Sequence, residues 1–467
     1  MAEPNWTNRT MWTGDNLDIM RGMNSESVDL IYLDPPFNSN RNYSAPIGSE
    51  AAGAAFKDTW TLDDVDEAWH GEIAEQHPAL YAIIGAARQA HGTGMQSYLI
   101  MMGVRLLEMR RLLKPTGSLY LYCDPTASHY LKLLMDAVFG QGNFRNEITW
   151  QRVTSTQKGS QHTSKRWGNN GDMLLYYATS AAATLDSLRP PSEMSAEEIA
   201  KKFKHVDENG ERYYDDSAHI WRTPNMGARP NLCYEWRGYV NPHPSGWRLS
   251  EQRLEEEYKK GNIVILENGK LQRRKYLRDY KGASYGNIWT DIPMALGKER
   301  VGYPTQKPLT LLERIIRASS NEGDIVLDPF CGCATACVAA DRLNRQWAGI
   351  DLSPLAARLV RSRIQAEGPL LYDLTHRTDI PRRTDVGKVP PYRTQKHTLF
   401  GRQEGVCNGC RIAFPFRNFT VDHVVPRSKG GTDHLDNLQL LCAACNSVKG
   451  AGSQAELIAA LKRQGIT

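Results

Sequence analysis

The segment Val28-Asp29-Leu30-Ile31-Tyr32-Leu33 is apolar but for Asp29, the composition of a buried strand. It stops at Asp34-Pro35-Pro36-Phe37, where two prolines end ladder pairing. Far downstream, Asp324-Ile325-Val326-Leu327 repeats the short buried-strand pattern, followed by a small-residue turn and by Ala336 to Leu343, whose spacing is helical. Gln346-Trp347-Ala348-Gly349-Ile350 reads as the next strand and ends at Asp351. Leu309 to Ala318 and Ser97 to Leu113 carry apolar residues at helical intervals. Leu113-Lys114-Pro115-Thr116-Gly117 closes the latter helix ahead of a strand, Ser118 to Tyr122. Strands alternating with helices predict an α/β fold, a doubly wound, Rossmann-like parallel sheet with helices on both faces.

Three stretches break this rhythm. Asn38 to Met95 is less regular and reads as an extended loop, and residues from about 150 to 287 read as an insert. From about Gly368 to Arg402 the chain turns polar, with prolines at 369, 381, 390 and 391 and more Lys and Arg than Asp, the composition of a tether. The expected organisation is a main domain over 1–366 with the insert inside it, a linker over 367–400 and a small domain over 401–467. At 467 residues the chain is too long for one compact core. Hydrophobic content of 41% and charged content of 23% are those of a globular protein. No apolar stretch approaches membrane-spanning length, and Met1 to Asn8 lack the order of a signal peptide, so a cytoplasmic protein with no membrane partner is expected. The net charge of +5 permits nucleic-acid binding without arguing for it.

Chemistry concentrates where strands end. A strand that stops at a carboxylate and two prolines leaves acceptors at its tip with an aromatic ring beside them. An exocyclic amine suits that set, because the carboxylate Asp34 and a backbone carbonyl accept its N–H bonds while Phe37 stacks on an extruded base. Strand, tight turn and helix over Asp324 to Leu343 form a nucleotide-binding βα unit, and Asp351, at the tip of the following strand, is placed to bond ribose hydroxyls. Gly302-Tyr303-Pro304-Thr305-Gln306-Lys307-Pro308 lies just upstream.

With these motifs in this order, roughly the first three quarters of the chain resembles the S-adenosylmethionine-dependent DNA amino-methyltransferases, in the permuted beta class where the catalytic motif precedes the cofactor half. The resemblance implies Asp34, Pro35, Pro36 and Phe37 as the catalytic motif. It implies Asp328, Phe330, Gly332 and Asp351 as cofactor residues, with Thr305, Gln306 and Lys307 beside them and Asp15, in Gly14-Asp15-Asn16, near the cofactor. Asp at the first motif position usually accompanies adenine N6 methylation, and cytosine N4 is the alternative. The family's cofactor turn usually reads Phe-x-Gly-x-Gly. Here Ala334 replaces the last glycine, a position expected to require only a small side chain for close helix packing. The resemblance also implies double-stranded DNA as partner, a recognition role for the insert, a loop over DNA at Asn38 to Met95, and frequent homodimers.

Nine cysteines include two pairs, Cys407-x-x-Cys410 and Cys442-x-x-Cys445, which in a chain with no secretory signal supply a tetrahedral structural zinc set. Between the pairs lie Val421-Asp422-His423-Val424, then Asn437, with Asn446 and Lys449 beyond. This segment resembles an HNH nuclease module of the ββα-metal type. The resemblance implies His423 as general base, Asp422 and Asn446 as ligands of Mg²⁺ or Mn²⁺, and Asn437 as the residue fixing the loop that orients His423. A zinc module that binds DNA without cutting is the alternative. In the insert, Arg222, Arg229, Arg237 and Arg248 interleave with Trp221, Tyr234, Trp236, Tyr239 and Trp247, a mixture suited to phosphates and bases or to an ordinary packed core. Arg273-Arg274-Lys275 with Arg278 and Lys281 reads as phosphate-binding or as a solvated face.

Overall fold

The computed structural model describes residues 3–36, 41–44, 55–58, 67–153, 167, 170–241, 243–303, 305–365, 374–385, 395–430 and 437–466. Two compact units emerge, one formed by residues 1–186 with 287–467 and the other by 187–286.

The larger unit is built on a nine-stranded sheet. In chain order its strands are β1 (Thr10–Thr13), β2 (Val28–Leu33), β3 (Leu113–Cys123), β4 (Phe144–Gln151), β5 (Gly171–Ala178), β6 (Ile288–Trp289), β7 (Ile325–Asp328), β8 (Gln346–Asp351) and β9 (Thr375–Arg377). Their spatial order is β6-β4-β5-β3-β2-β7-β8-β1-β9. Neighbours are parallel except at β5, which runs antiparallel to both β3 and β4, so the expected parallel sheet carries one antiparallel strand.

Successive strand residues alternate between two cores. Ile31, Leu119, Leu121, Leu327 and Ile350 face one of them, with α1 (Asn16–Gly22), α2 (Glu67–Gln76), α3 (Pro78–His91), α4 (Thr93–Leu112) and α5 (Ser128–Phe139). Leu30, Tyr32, Tyr120, Val326 and Trp347 face the other, with α6 (Leu309–Ser319), α7 (Thr335–Arg342) and α8 (Pro354–Gln365).

Two readings need correction. The stretch expected to be an extended loop is helical from Glu67 onward. In α3, Pro78 opens the helix and Leu80, Ile84 and Ala87 are buried one turn apart, each large apolar side chain contributing about 1.5–3 kcal/mol. Before it, 41–44 pairs antiparallel with 55–58. The polar stretch expected to be a tether is built into the fold wherever it is described. Thr375–Arg377 pairs with β1. Thr384 and Asp385 accept or donate hydrogen bonds at Asn24 and Ser25. A Cβ at Gly22 would fall 2.0 Å from the Pro381 carbonyl oxygen.

The C-terminal module follows. Helix α9 (Gln395–Arg402) leads to the hairpin β10 (Phe419–His423) and β11 (Leu438–Cys442), then α10 (Ala443–Lys449) and α11 (Gln454–Arg463). Its core of Leu399, Phe400, Phe416, Phe419, Leu440 and Leu457 extends to Ala74 of α2 and Tyr81 of α3. Helix α9 lies on α2 so closely that a Cβ at Gly71 would sit 2.3 Å from the His397 carbonyl oxygen. The imidazole of His397 bonds the Glu75 carboxylate, and Arg88 pairs with Glu404.

The smaller unit begins at Ser187, so the expected insert boundary near 150 moves downstream. Residues 144–151 and 171–178 belong to the main sheet. Inside the unit, strands 263–265, 271–276, 212–215 and 205–206 form a four-stranded antiparallel sheet.

Candidate active sites

Strand register places three carboxylates along one edge. Leu327 lies opposite Ile31, Asp328 opposite Gly349 and Thr13 opposite Asp351. Asp34, Asp328 and Asp351 therefore gather at the carboxyl ends of β2, β7 and β8. The chain leaves β2 towards the core that holds α4 and leaves β7 towards the core that holds α7. Adjacent parallel strands whose helices depart to opposite faces open the crevice in which α/β sheets bind ligands.

Asp34 is held by a lysine. Lys307 Nζ donates to Asp34 Oδ2 at 2.5 Å and to the Thr305 carbonyl at 3.1 Å, and lies 3.9 Å from the centre of the Tyr122 ring. Asp34 Oδ1 is buried without a hydrogen-bond partner, as is the Tyr32 hydroxyl. Burial pushes the Asp34 carboxyl up, with Lys307 opposing it. Burial also drives Asp328 well above the usual carboxylate range; the Phe330 N–H, 3.1 Å from its Oδ1, resists this, while the charges of Asp34 and Asp351 add to it. Tyr122 donates to Asp172 beside this group.

In the glycine turn, Gly332 N donates to Asp351 Oδ2 and Ser353 N to Asp351 Oδ1, both at 2.8 Å. Phe330 packs on the first core. Ala334 opens α7 with φ 60° and ψ 33°, so the expectation that this position needs only a small side chain is incomplete. It also demands a left-handed backbone, which glycine adopts freely. Thr305 is left-handed as well, at φ 63°.

Other motif residues have structural duties. Asp15 caps α1 by accepting from Leu17 N and pairs at 2.9 Å with the buried Arg105, whose Nε donates to Asn16. Gln306 is occupied by the Glu299 carbonyl and the Val301 N–H. Phe37 lies outside the described residues. Lys307, expected beside the cofactor, also meets Asp34 from 273 positions away.

In the C-terminal module the Sγ atoms of Cys407, Cys410, Cys442 and Cys445 are buried and lie within 4.8 Å of one another. A tetrahedral zinc with Zn–S bonds near 2.3 Å separates its sulfurs by about 3.8 Å. Cys410 and Cys442, 4.0 Å apart, fit this edge. Burial pushes the Cys407 thiol up, but N–H donors at Cys442 (3.2 Å) and Gly409 (3.4 Å) help hold it below its usual range, the direction that favours metal binding.

The same hairpin carries Asp422 and His423. Asn437 accepts from Val425 N at 2.9 Å and donates to the Val425 carbonyl at 3.1 Å, pinning the chain just beyond His423. Lys449, almost wholly buried, donates to the His423 carbonyl at 2.8 Å and pairs with Asp422 Oδ2 at 3.0 Å, where Gln439 also donates. Asn446 sits half-buried on α10, which packs against both strands. Neither Lys449 nor Gln439 had been singled out as a site residue.

The interleaved aromatics of the insert form a core of its own. Trp236 and Trp247 are buried with Ile220, Leu254 and Ile263, while Trp221, Tyr234 and Tyr239 pack against them. Arg237 pairs with Glu255. Of the second basic run, Arg273 pairs with Asp216 and Arg278 with Glu211. Arg229 and Arg248 remain exposed.

Residues 28–361 match the family model described as DNA methylase, and residues 407–452 match that described as HNH endonuclease. The chain belongs to the DNA methylase family and carries an HNH endonuclease domain. It is 29% identical to the type II methyltransferase M.EcaI of Enterobacter cloacae, over 76% of this chain and 69% of that protein. It is also 29% identical to the StyLTI type III restriction-modification Mod subunit of Salmonella typhimurium, over 75% of this chain and 52% of the relative. The DNA adenine methyltransferase YhdJ of Escherichia coli is 23% identical, over 74% and 79%. Among solved structures, the M1.HpyAVI–SAM complex aligns with a TM-score of 0.37 at 13% identity, covering 76% of this chain and 98% of that one. Among the described residues, no helix is long and apolar enough to cross a membrane.

Proposed function

We propose that this DNA methyltransferase transfers a methyl group from S-adenosylmethionine to adenine N6 in double-stranded DNA, and that its HNH module hydrolyses DNA. The observation that carries the first part is Asp34, a half-buried carboxylate at the end of β2 with one oxygen held by Lys307 and the other, itself buried, unpartnered. An unpartnered acceptor is costly to bury and suits an amino N–H of the substrate base. Pro35 and Pro36 fix the chain at that tip, and Phe37 is assigned to stacking. Similarity to an adenine methyltransferase supports N6 over N4.

Asp328, Phe330, Gly332 and Asp351 are assigned to the cofactor, whose contribution is an electrophilic methyl group. The crevice's carboxylates suit a cationic ligand. In the nuclease, zinc on the four cysteines holds the hairpin, Asp422 and Asn446 take Mg²⁺ or Mn²⁺, and His423 activates water. Nucleoside mass spectrometry of reacted DNA should show N6-methyladenine; N4-methylcytosine as the only product would overturn the base assignment. For the nuclease, plasmid is incubated with Mg²⁺, both unmodified and premethylated by His423→Ala protein. Cutting by wild type but not by His423→Ala is the expected result, and the substrate preferred shows whether methylation protects or licenses. No cutting of either plasmid would reduce the module to a zinc-bound DNA anchor.

A further inference from the structure

We infer that Lys307 is a positioning residue for methyl transfer, occupying Asp34 Oδ2 so that Asp34 stays a carboxylate and presents Oδ1 alone to the amino group of the substrate base. Four observations converge on this role. The Lys307 side chain is only 8% exposed and its ammonium sits 2.5 Å from Oδ2, so its charge acts where water is scarce. The ammonium also donates to the Thr305 carbonyl and lies over the Tyr122 ring face, so neutral groups help hold it at Asp34. The Thr305 backbone is left-handed although its residue is β-branched. That conformation costs on the order of 1–3 kcal/mol and persists where the surroundings impose it. Finally, Oδ1 is buried and unpartnered.

The charge is needed because burial and the neighbouring Asp172 oppose ionisation of Asp34. Tyr32 on β2, Tyr122 on β3, Asp172 on β5, Asp328 on β7 and Tyr303 lie within its electrostatic reach, and none is a cation. Removing Lys307 therefore raises the Asp34 pKa further and shifts the acid limb of the methylation rate to higher pH. The inference concerns exocyclic amino transfer in general and holds for either base.

The test is single-turnover transfer of labelled methyl to genomic DNA from pH 5.5 to 9.5, with S-adenosylmethionine affinity measured separately by calorimetry on wild type, Lys307→Met and Lys307→Arg. Lys307→Met should slow transfer about 100-fold at neutral pH, recover part of it at high pH, and bind S-adenosylmethionine as wild type does. Lys307→Arg should keep the wild-type acid limb, since it keeps the charge, while transferring more slowly. If Lys307→Met fails to fold, Lys307→Arg decides alone: a displaced acid limb overturns the inference. Loss of cofactor affinity with an unmoved pH profile makes Lys307 a cofactor ligand instead, and an unchanged rate removes any role.

Discussion

Ala334 has a left-handed backbone that glycine would adopt without strain, and its methyl is fully buried in the second core. Replacing it with glycine relieves about 1 kcal/mol of strain and gives back a similar amount in lost packing and backbone entropy. Ala334→Gly should therefore unfold within about 1 kcal/mol of wild type, whereas Ala334→Val, β-branched at positive φ in a filled core, should lose more than about 2 kcal/mol. Denaturant titration of both variants checks this, and a stabilised valine variant would refute the conformational argument. At this scale the sequence was most readable where chemistry ends a strand. Asp34, Asp328 and Asp351 each close a buried run, so a local pattern located all three. Lys307 was visible as a motif residue but not as the partner of Asp34, because no local pattern links positions 273 apart. Asp15 and Gln306 lie in motifs too, yet their side chains are engaged in capping α1 and in bracing the loop at 299–301.

Helix α9 explains why composition misjudged an element. Gln395 to Arg402 is polar enough to read as part of a tether, but its apolar side chains Leu399 and Phe400 share one face and are buried. The ninth strand escaped notice for a related reason, since an edge strand needs few apolar residues. Against α9, burial pushes His70 down to about 4, with Arg88 adding to the effect, Glu404 opposing it, and the Tyr81 and Phe400 rings packed beside it. The folded dock thus holds His70 neutral, while an unfolded chain takes up the proton below about pH 6.5. Stability tied to His70 is complete above that pH and is lost as pH falls towards 4, by about 3 kcal/mol at the acid end. Hydrogen exchange of the α9 amides should accelerate across this window in wild type and lose that dependence in His70→Phe. The four-cysteine cluster beside the hairpin makes a separate prediction for the proposed zinc site. Stripping the metal with a chelator should melt β10 and β11 and abolish cutting while methyl transfer continues, because none of the strand-end carboxylates lies in that module.

For the whole molecule, the dock decides how the two proposed chemistries would share one chain. A nuclease on a loose tether would cut over a range set by tether length. Here α9 lies on α2 with Gly71 against the His397 backbone, His397 on Glu75 and Arg88 on Glu404, and the core of the module continues onto Tyr81. The Asp422–His423 hairpin is therefore carried on the same compact unit as Asp34. Cuts should fall at one offset from the methylated base, readable by sequencing the ends of cleaved DNA and mapping methylation on the same substrate. Gly71→Val should break this registration. Its side chain cannot fit beside a backbone carbonyl 2.3 Å from the Cβ position, so the dock must open at a cost of about 1–3 kcal/mol. The strand-end carboxylates are untouched by that change. The expected variant methylates normally and cuts over a broadened range of positions, and an unchanged offset in Gly71→Val would mean that contacts other than α9 on α2 set the distance.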